Sequence, residues 1–116
     1  MLQLSPQHRI FICIPAVDFR QGIDGLGGYC RRHLQQDPMS GAIFVFRNRR
    51  RTALKLLVYD GQGYWLCMKR LSSGRLHWWP QSADDMTAIQ ARELQILLWN
   101  GNPEQAQLAD DWKRLT

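Results

Sequence analysis

The sequence predicts an α+β fold: an antiparallel β-meander of about four to five strands, with helices packed on one face. Three observations predict it. Apolar residues alternate with period two near the start and through the middle of the chain, an Asp-Gly turn joins two β-prone runs, and flanking segments carry helical periodicity. The 116 residues suffice for one core. Residues 1–101 are read as one domain and 102–116 as a C-terminal tail or short helix. A composition 45% hydrophobic, with five Trp, can fill that core and is far from the signature of disorder.

In chain order, Ile10, Ile12 and Ile14 alternate with Arg9, Phe11 and Cys13, the period of a half-buried strand that Pro15 ends. Asp18 is a plausible N-cap for a segment to about Gln36, where Ile23, Leu26, Cys30 and Leu34 fall near one helical face and Asp24 and Arg31 opposite. Gly22, Gly25, Gly27 and Gly28 each weaken such a helix by up to about 1 kcal/mol, so its first half is either a loop or closely packed. Asp37, Pro38, Ser40 and Gly41 form a turn cluster. The runs 42–47, 52–59 and 64–71 then read as strands, with Asp60-Gly61-Gln62-Gly63 as a hairpin turn, and 75–79 as a short fourth meander strand before Pro80. Thr87 can cap a helix to about Asn100, stopped by Gly101, and Ala106, Leu108, Ala109 and Trp112 suit a final short helix.

The net charge of +5 is unevenly spread. Residues 47–75 carry eight basic and one acidic side chain, whereas 76–116 carry three and six. A positive field concentrated in one segment suits a polyanion, nucleic acid above all; the simpler reading is a solvated face. Arg47, Arg49, Arg50 and Arg51 sit at a turn between two expected strands, Lys55 and Lys69-Arg70 come from the next hairpin, and Arg75 follows. Guanidinium groups fork onto phosphate oxygens, which makes these eight the candidate phosphate contacts. Lys69 and Arg70, adjacent in a strand, point to opposite faces unless the strand bulges or ends there. Aromatic residues interleave the cations, but a chain this size needs them for its core.

Other chemistry finds little support. Asp18, Asp24, Asp37 and Asp60 each have a turn, cap or polar-face explanation, so no metal site and no cofactor is expected. His8, His33 and His77 form no ligand motif, and neither a P-loop nor a nucleophile elbow occurs. Cys13, Cys30 and Cys67 lack a C-x-x-C pair and read as buried thiols. Without a membrane-length apolar run or a signal-peptide pattern, a cytoplasmic protein is expected.

Several segments, in one unbroken order, carry a resemblance. They are Val17-Asp18-Phe19-Arg20-Gln21-Gly22-Ile23-Asp24-Gly25-Leu26, Asp37-Pro38-Met39-Ser40-Gly41, and Phe44-Val45-Phe46-Arg47-Asn48-Arg49-Arg50-Arg51, followed by Leu54-Lys55, Asp60-Gly61-Gln62-Gly63, Trp65-Leu66, Lys69-Arg70-Leu71, Gly74-Arg75-Leu76 and Trp79-Pro80. Over about residues 8–100 the chain resembles the TnpB-type accessory proteins, second-reading-frame products, of insertion sequence family sixty-six. They are distinct from the much longer RNA-guided nucleases that share the name TnpB. The family's Leu-Leu-Glu-Gly-like helix end is here Leu97-Leu98-Trp99-Asn100-Gly101.

The resemblance implies a non-enzymatic protein encoded beside a transposase, to which strand cleavage and joining belong. Asp18, Arg20, Gly22, Asp24 and Gly25 form a family motif whose role is open. Two modes of action are expected to compete. In one, the basic hairpins bind DNA at the element ends or the target. In the other, an apolar helix face around Leu94, Leu97 and Leu98, with the acidic tail, recruits or activates the transposase.

Overall fold

The computed structural model describes residues 8–105. Strand β1 (Ile10–Cys13) leads through a loop to helix α1 (Ile23–His33), then β2 (Ile43–Arg47), β3 (Ala53–Tyr59), β4 (Tyr64–Arg70), β5 (Met86–Ile89), helix α2 (Ala91–Leu98) and a short 3-10 turn (Pro103–Gln105). The helix expected from Ala106, Leu108, Ala109 and Trp112 lies outside the described residues. The five strands form one sheet in the order β4-β3-β2-β1-β5.

The α+β reading holds, and the structure corrects its details. β1 pairs with β2 in parallel, Phe11 opposite Phe44, because the α1 crossover returns the chain in the same direction; the other pairings are antiparallel. The sheet is therefore mixed rather than a meander. The two helices also cover opposite faces. Leu26 and Cys30 of α1 and Leu34, its C-cap, pack with Phe44, Phe46 and Leu57, while Leu94 and Leu97 of α2 pack with Ile10, Ile12, Ile43, Val45, Leu54 and Leu56. Consecutive strand residues face opposite ways, so two covered faces explain why β2 and β3 read as nearly unbroken apolar runs.

Residues 75–79 are not a strand. They form a loop that drops Leu76 and Trp79 into the α2-side core, with Trp79 Nε1 donating to the Cys13 carbonyl at 2.9 Å. The strand in that part of the chain is β5, where Thr87 lies opposite Ile12 rather than capping a helix. The cap is Gln90, whose N–H donates to the Glu93 carboxylate at 2.9 Å. At the other helix, Gly22 rather than Asp18 is the N-cap, and α1 runs through Gly25, Gly27 and Gly28 without a break. Gly27 is buried there, with Pro38 3.8 Å from where its Cβ would stand.

Candidate nucleic-acid interface

The β2–β3 turn is built around Asn48. Its Oδ1 accepts from Thr52 N (2.9 Å) and Ala53 N (3.1 Å), its Nδ2 donates to Thr52 Oγ1 (2.8 Å), and its carbonyl accepts from Arg51 N (3.2 Å). One amide side chain thus takes the Thr52 hydroxyl and the N–H groups of Thr52 and Ala53, and Arg49 and Arg50 stand exposed at the tip of the turn. Arg51 closes the turn with φ +60°, in the left-handed region that side chains other than Gly, Asn and Asp seldom adopt.

A second segment meets this turn. After β1 the chain runs beside β2, where Val17 N donates to the Arg47 carbonyl at 3.0 Å and the Val17 side chain is buried. Asp18 then caps its own turn by accepting from Arg20 N at 2.9 Å. The Arg20 guanidinium pairs with the same carboxylate through Nε (3.1 and 3.0 Å) and Nη2 (2.7 Å). These bonds hold the Asp18 carboxyl down at about 2, with the positive charge of Arg49 contributing further. The Nη1 side of the Arg20 guanidinium is left without a protein partner in this pair, and the side chain is 91% exposed.

Lys55 ties the two segments together, a role that differs from the expected one. It is 7% exposed in the middle of β3, and its ammonium donates to the carbonyls of Phe19 and Gln21 at 2.9 Å each, 4.8 Å from the Phe19 ring centre. Two of its ammonium donors are committed to backbone carbonyls inside the fold. The signal was present in the sequence: a lone Lys among Leu54, Leu56 and Leu57 in a strand covered on both faces must find acceptors inside the protein.

Together the loop and the turn enclose an open cleft of about 460 Å³ lined by Ala16, Val17, Asp18, Phe19, Arg20, Asn48, Arg49 and Arg50. Asp18 and Arg20 of the motif of open role and Arg49 and Arg50 of the turn, about thirty residues apart in sequence, line this one feature, whereas Gly22, Asp24 and Gly25 of the motif lie outside it at the start of α1. Its rim is cationic, and its one carboxylate is already paired with Arg20.

The remaining cations fall into two groups. Arg70 is opposite Ala53 in the β3–β4 register, and Leu76 N donates to the Arg51 carbonyl at 2.7 Å, so exposed Arg70 and Arg75 lie at the same end of the sheet as the arginine turn. Arg47 and Lys69 each make a contact within the fold. Arg47 is half-buried with its guanidinium 6.0 Å from the Trp79 ring centre, its Nη1 donates to the Asn48 carbonyl, and burial lowers its pKa. Lys69 donates to the Leu98 carbonyl, placing a cation at the C-terminal end of α2. Nε of Arg47 and of Arg51 are buried without a hydrogen-bond partner.

The carboxylates perform local work. Asp37 accepts from Met39 N, Asp60 accepts from Gln62 N, Gly63 N and Trp65 Nε1, and Asp24 is exposed in the first turn of α1. Among the described residues no group of three or more His, Cys, Asp or Glu could hold a metal ion, and no helix is long and apolar enough to cross a membrane. Cys13 and Cys30 are buried, and burial raises their thiols to about 11 and about 12, whereas Cys67, expected to be buried as well, is only half-buried because it lies on the outermost strand β4. Gly22 and Gly25 contribute backbone at the start of α1, with Gln21 side-chain atoms 3.0 Å from where a Gly25 Cβ would stand.

Comparison with known proteins follows the same stretch of chain. A family model described as IS66 Orf2 like protein matches residues 8–107. Two relatives from Sinorhizobium fredii (strain NBRC 101917 / NGR234), the uncharacterized proteins y4hO and y4jC, are each 36% identical over 98 residues, which is 84% of this chain and 84% and 83% of theirs. No solved structure matches significantly.

Proposed function

The chain belongs to the IS66 Orf2-like family of insertion-sequence accessory proteins, and on that premise we propose that it assists transposition by binding DNA through the arginine turn and its cleft. The observation that carries this reading is the convergence of Arg20, Arg49 and Arg50 on one open cleft, with Arg70 and Arg75 at the same end of the sheet. Exposed guanidinium groups on a turn held rigid by Asn48 suit the backbone of a duplex, where each phosphate contact releases counterions. The protein positions DNA in this reading, and cleavage and joining remain with the separate transposase. Lys55 and Lys69 are omitted from the DNA-facing set because both serve backbone carbonyls, and Arg47 because it is half-buried against Trp79.

The test is fluorescence anisotropy with an element-end duplex, a scrambled duplex and single-stranded DNA over a salt series. The slope of log K against log salt should be steep, and replacing Arg49 and Arg50 with Ala should make it shallower by about 0.9 for each phosphate that is no longer neutralised. Absence of binding at moderate salt defeats the reading and turns attention to the transposase. The second reading, transposase recruitment, finds Leu94 and Leu97 of its expected helix face buried against the sheet and Leu98 half-buried, while residues 106–116 of the acidic tail lie outside the described residues. One observation favours it elsewhere: Trp99, at the end of α2, is 85% exposed, and exposed Trp is a frequent anchor of protein interfaces.

A further inference from the structure

The sheet ends in a seven-residue strand, β4, whose outer side pairs with no strand among the described residues. Its backbone polarity can be assigned residue by residue. Asp60 N donates to the Gly63 carbonyl and Leu71 N to the Thr52 carbonyl, which fixes the hydrogen-bonded pairs of the β3–β4 ladder at odd-numbered β4 residues. By alternation, Tyr64, Leu66, Met68 and Arg70 turn their N–H and C=O groups outward. The side chains along this edge are also unevenly arranged. Tyr64 and Trp65 stand at one end, Lys69 and Arg70 at the other, and Met68 (55% exposed) and Trp65 (47%) leave apolar surface between.

We propose that this edge pairs antiparallel with the same edge of a second copy of the chain, centred on Cys67, to make one ten-stranded sheet. The outward groups restrict hydrogen-bonded pairs to even-numbered residues. Centring on Cys67 then sets Tyr64 opposite Arg70 of the second copy and Leu66 opposite its Met68, with Trp65 opposite Lys69 as a non-hydrogen-bonded pair. Arg70 meets the Tyr64 ring, Lys69 lays its stem and remaining ammonium donors beside the Trp65 ring while keeping its bond to the Leu98 carbonyl, and the apolar pair lies between, twice over by symmetry. The Asp60 carboxylate, bonded to Trp65 Nε1 at 2.8 Å, adds negative charge beside the ring that receives Lys69. A shift of two residues one way centres on Leu66 and leaves Lys69 and Arg70 beyond the facing aromatics. The opposite shift centres on Met68 and sets Arg70 against Leu66 and Lys69 against Cys67.

Charges on an edge usually keep strands apart. Here they occupy one end only, so antiparallel self-pairing carries them away from each other and onto the aromatic end.

The test uses the full chain. Light scattering coupled to gel filtration should give twice the 13.6 kDa chain mass at sub-millimolar concentration. A short bis-maleimide should join two copies through Cys67, since Cys13 and Cys30 are buried, and Cys67→Ser should abolish the product. Met68→Pro removes an outward N–H while leaving the bonds to β3 intact, so it should yield a monomer with an unchanged circular dichroism spectrum. Met68→Lys, a substitution at an exposed site that places a third cation beside Lys69 and Arg70, should weaken the dimer by about tenfold or more even if the proline variant fails to fold. A wild-type monomer overturns the proposal. So does a dimer that resists the two Met68 substitutions, or one that shows no Cys67 crosslink.

Discussion

Replacing Lys55 with Met separates a structural cation from a DNA-binding one. Methionine is unbranched and of similar length, so the strand and its packing stay, while both bonds to the Phe19 and Gln21 carbonyls disappear. Hydrogen bonds from a charged donor contribute about 1.5 kcal/mol or more each, and the half-buried acceptor residues Phe19 and Gln21 let their carbonyls recover some water once the ammonium is gone. Two such bonds give about 3 kcal/mol, and relieving the desolvated ammonium returns about 1, leaving a net loss of about 2 kcal/mol. For a domain of this size that lowers Tm by about 6–10 °C. Thermal unfolding followed by Trp fluorescence reads the shift, and amide exchange should accelerate in residues 16–22 above the global effect. If Lys55 instead binds phosphate, Lys55→Met leaves Tm within about 1 °C of wild type and removes about 0.9 from the salt slope of DNA binding. That pair of results would refute the anchoring role.

Four further outcomes follow from individual side chains. Gln35, at the end of α1, has φ +56° and is exposed; its amide donates to the Arg32 carbonyl at 3.1 Å, a surface bond that water replaces, so Gln35→Gly should still raise stability by about 0.5–1 kcal/mol in urea unfolding. Asn100 also has positive φ, but its side chain accepts from His77 N at 2.8 Å and donates to the Arg75 carbonyl at 3.2 Å; Asn100→Gly keeps the backbone comfortable and should still cost about 1–2 kcal/mol in the same measurement. Trp79→Phe leaves the Cys13 carbonyl without its donor and should cost about 1–3 kcal/mol, read by chemical denaturation. The Asp18 carboxyl, held at about 2 by Arg20, titrates below its unfolded value; its contribution is therefore present above the ordinary carboxylate range and lost as pH falls through about 2, and Arg20→Ala should move its NMR titration midpoint upward.

The strands that the sequence made legible are those with local signals. β3 and β4 flank Asp60-Gly61, where Gly61 takes φ +100° and the Asp60 carboxylate accepts two turn N–H groups. β5 has no such signal. Its four residues run into a helix after a single residue, and Thr87 resembles a cap until its partner Ile12, seventy-five positions earlier, is in place. The parallel pairing of β1 and β2 is equally non-local, although the order strand, helix, strand was a legible hint of a crossover. Residues 75–79 misled because Leu76 and Trp79 are apolar and buried, yet their burial comes from a loop pinned by the Arg51 carbonyl to Leu76 N.

The cations show the same division at the level of single side chains. Composition could place eight of them in one segment, and chain position decides what each can do. Lys55 lies in an inner strand under a loop, so an interior carbonyl pair takes its charge; Lys69 lies beside the end of α2, so a helix carbonyl takes its charge. Arg49 and Arg50 stand exposed on a turn that Asn48 ties to Thr52 and Ala53, and no carbonyl or helix end takes up their charge among the described residues. Arg20 belongs with them, though it lies outside the basic segment, because Asp18 fixes one edge of its guanidinium at the rim of the same cleft. A basic run therefore overstates a binding site by the cations that the core and helix ends consume, and understates it by those that a distant loop brings in.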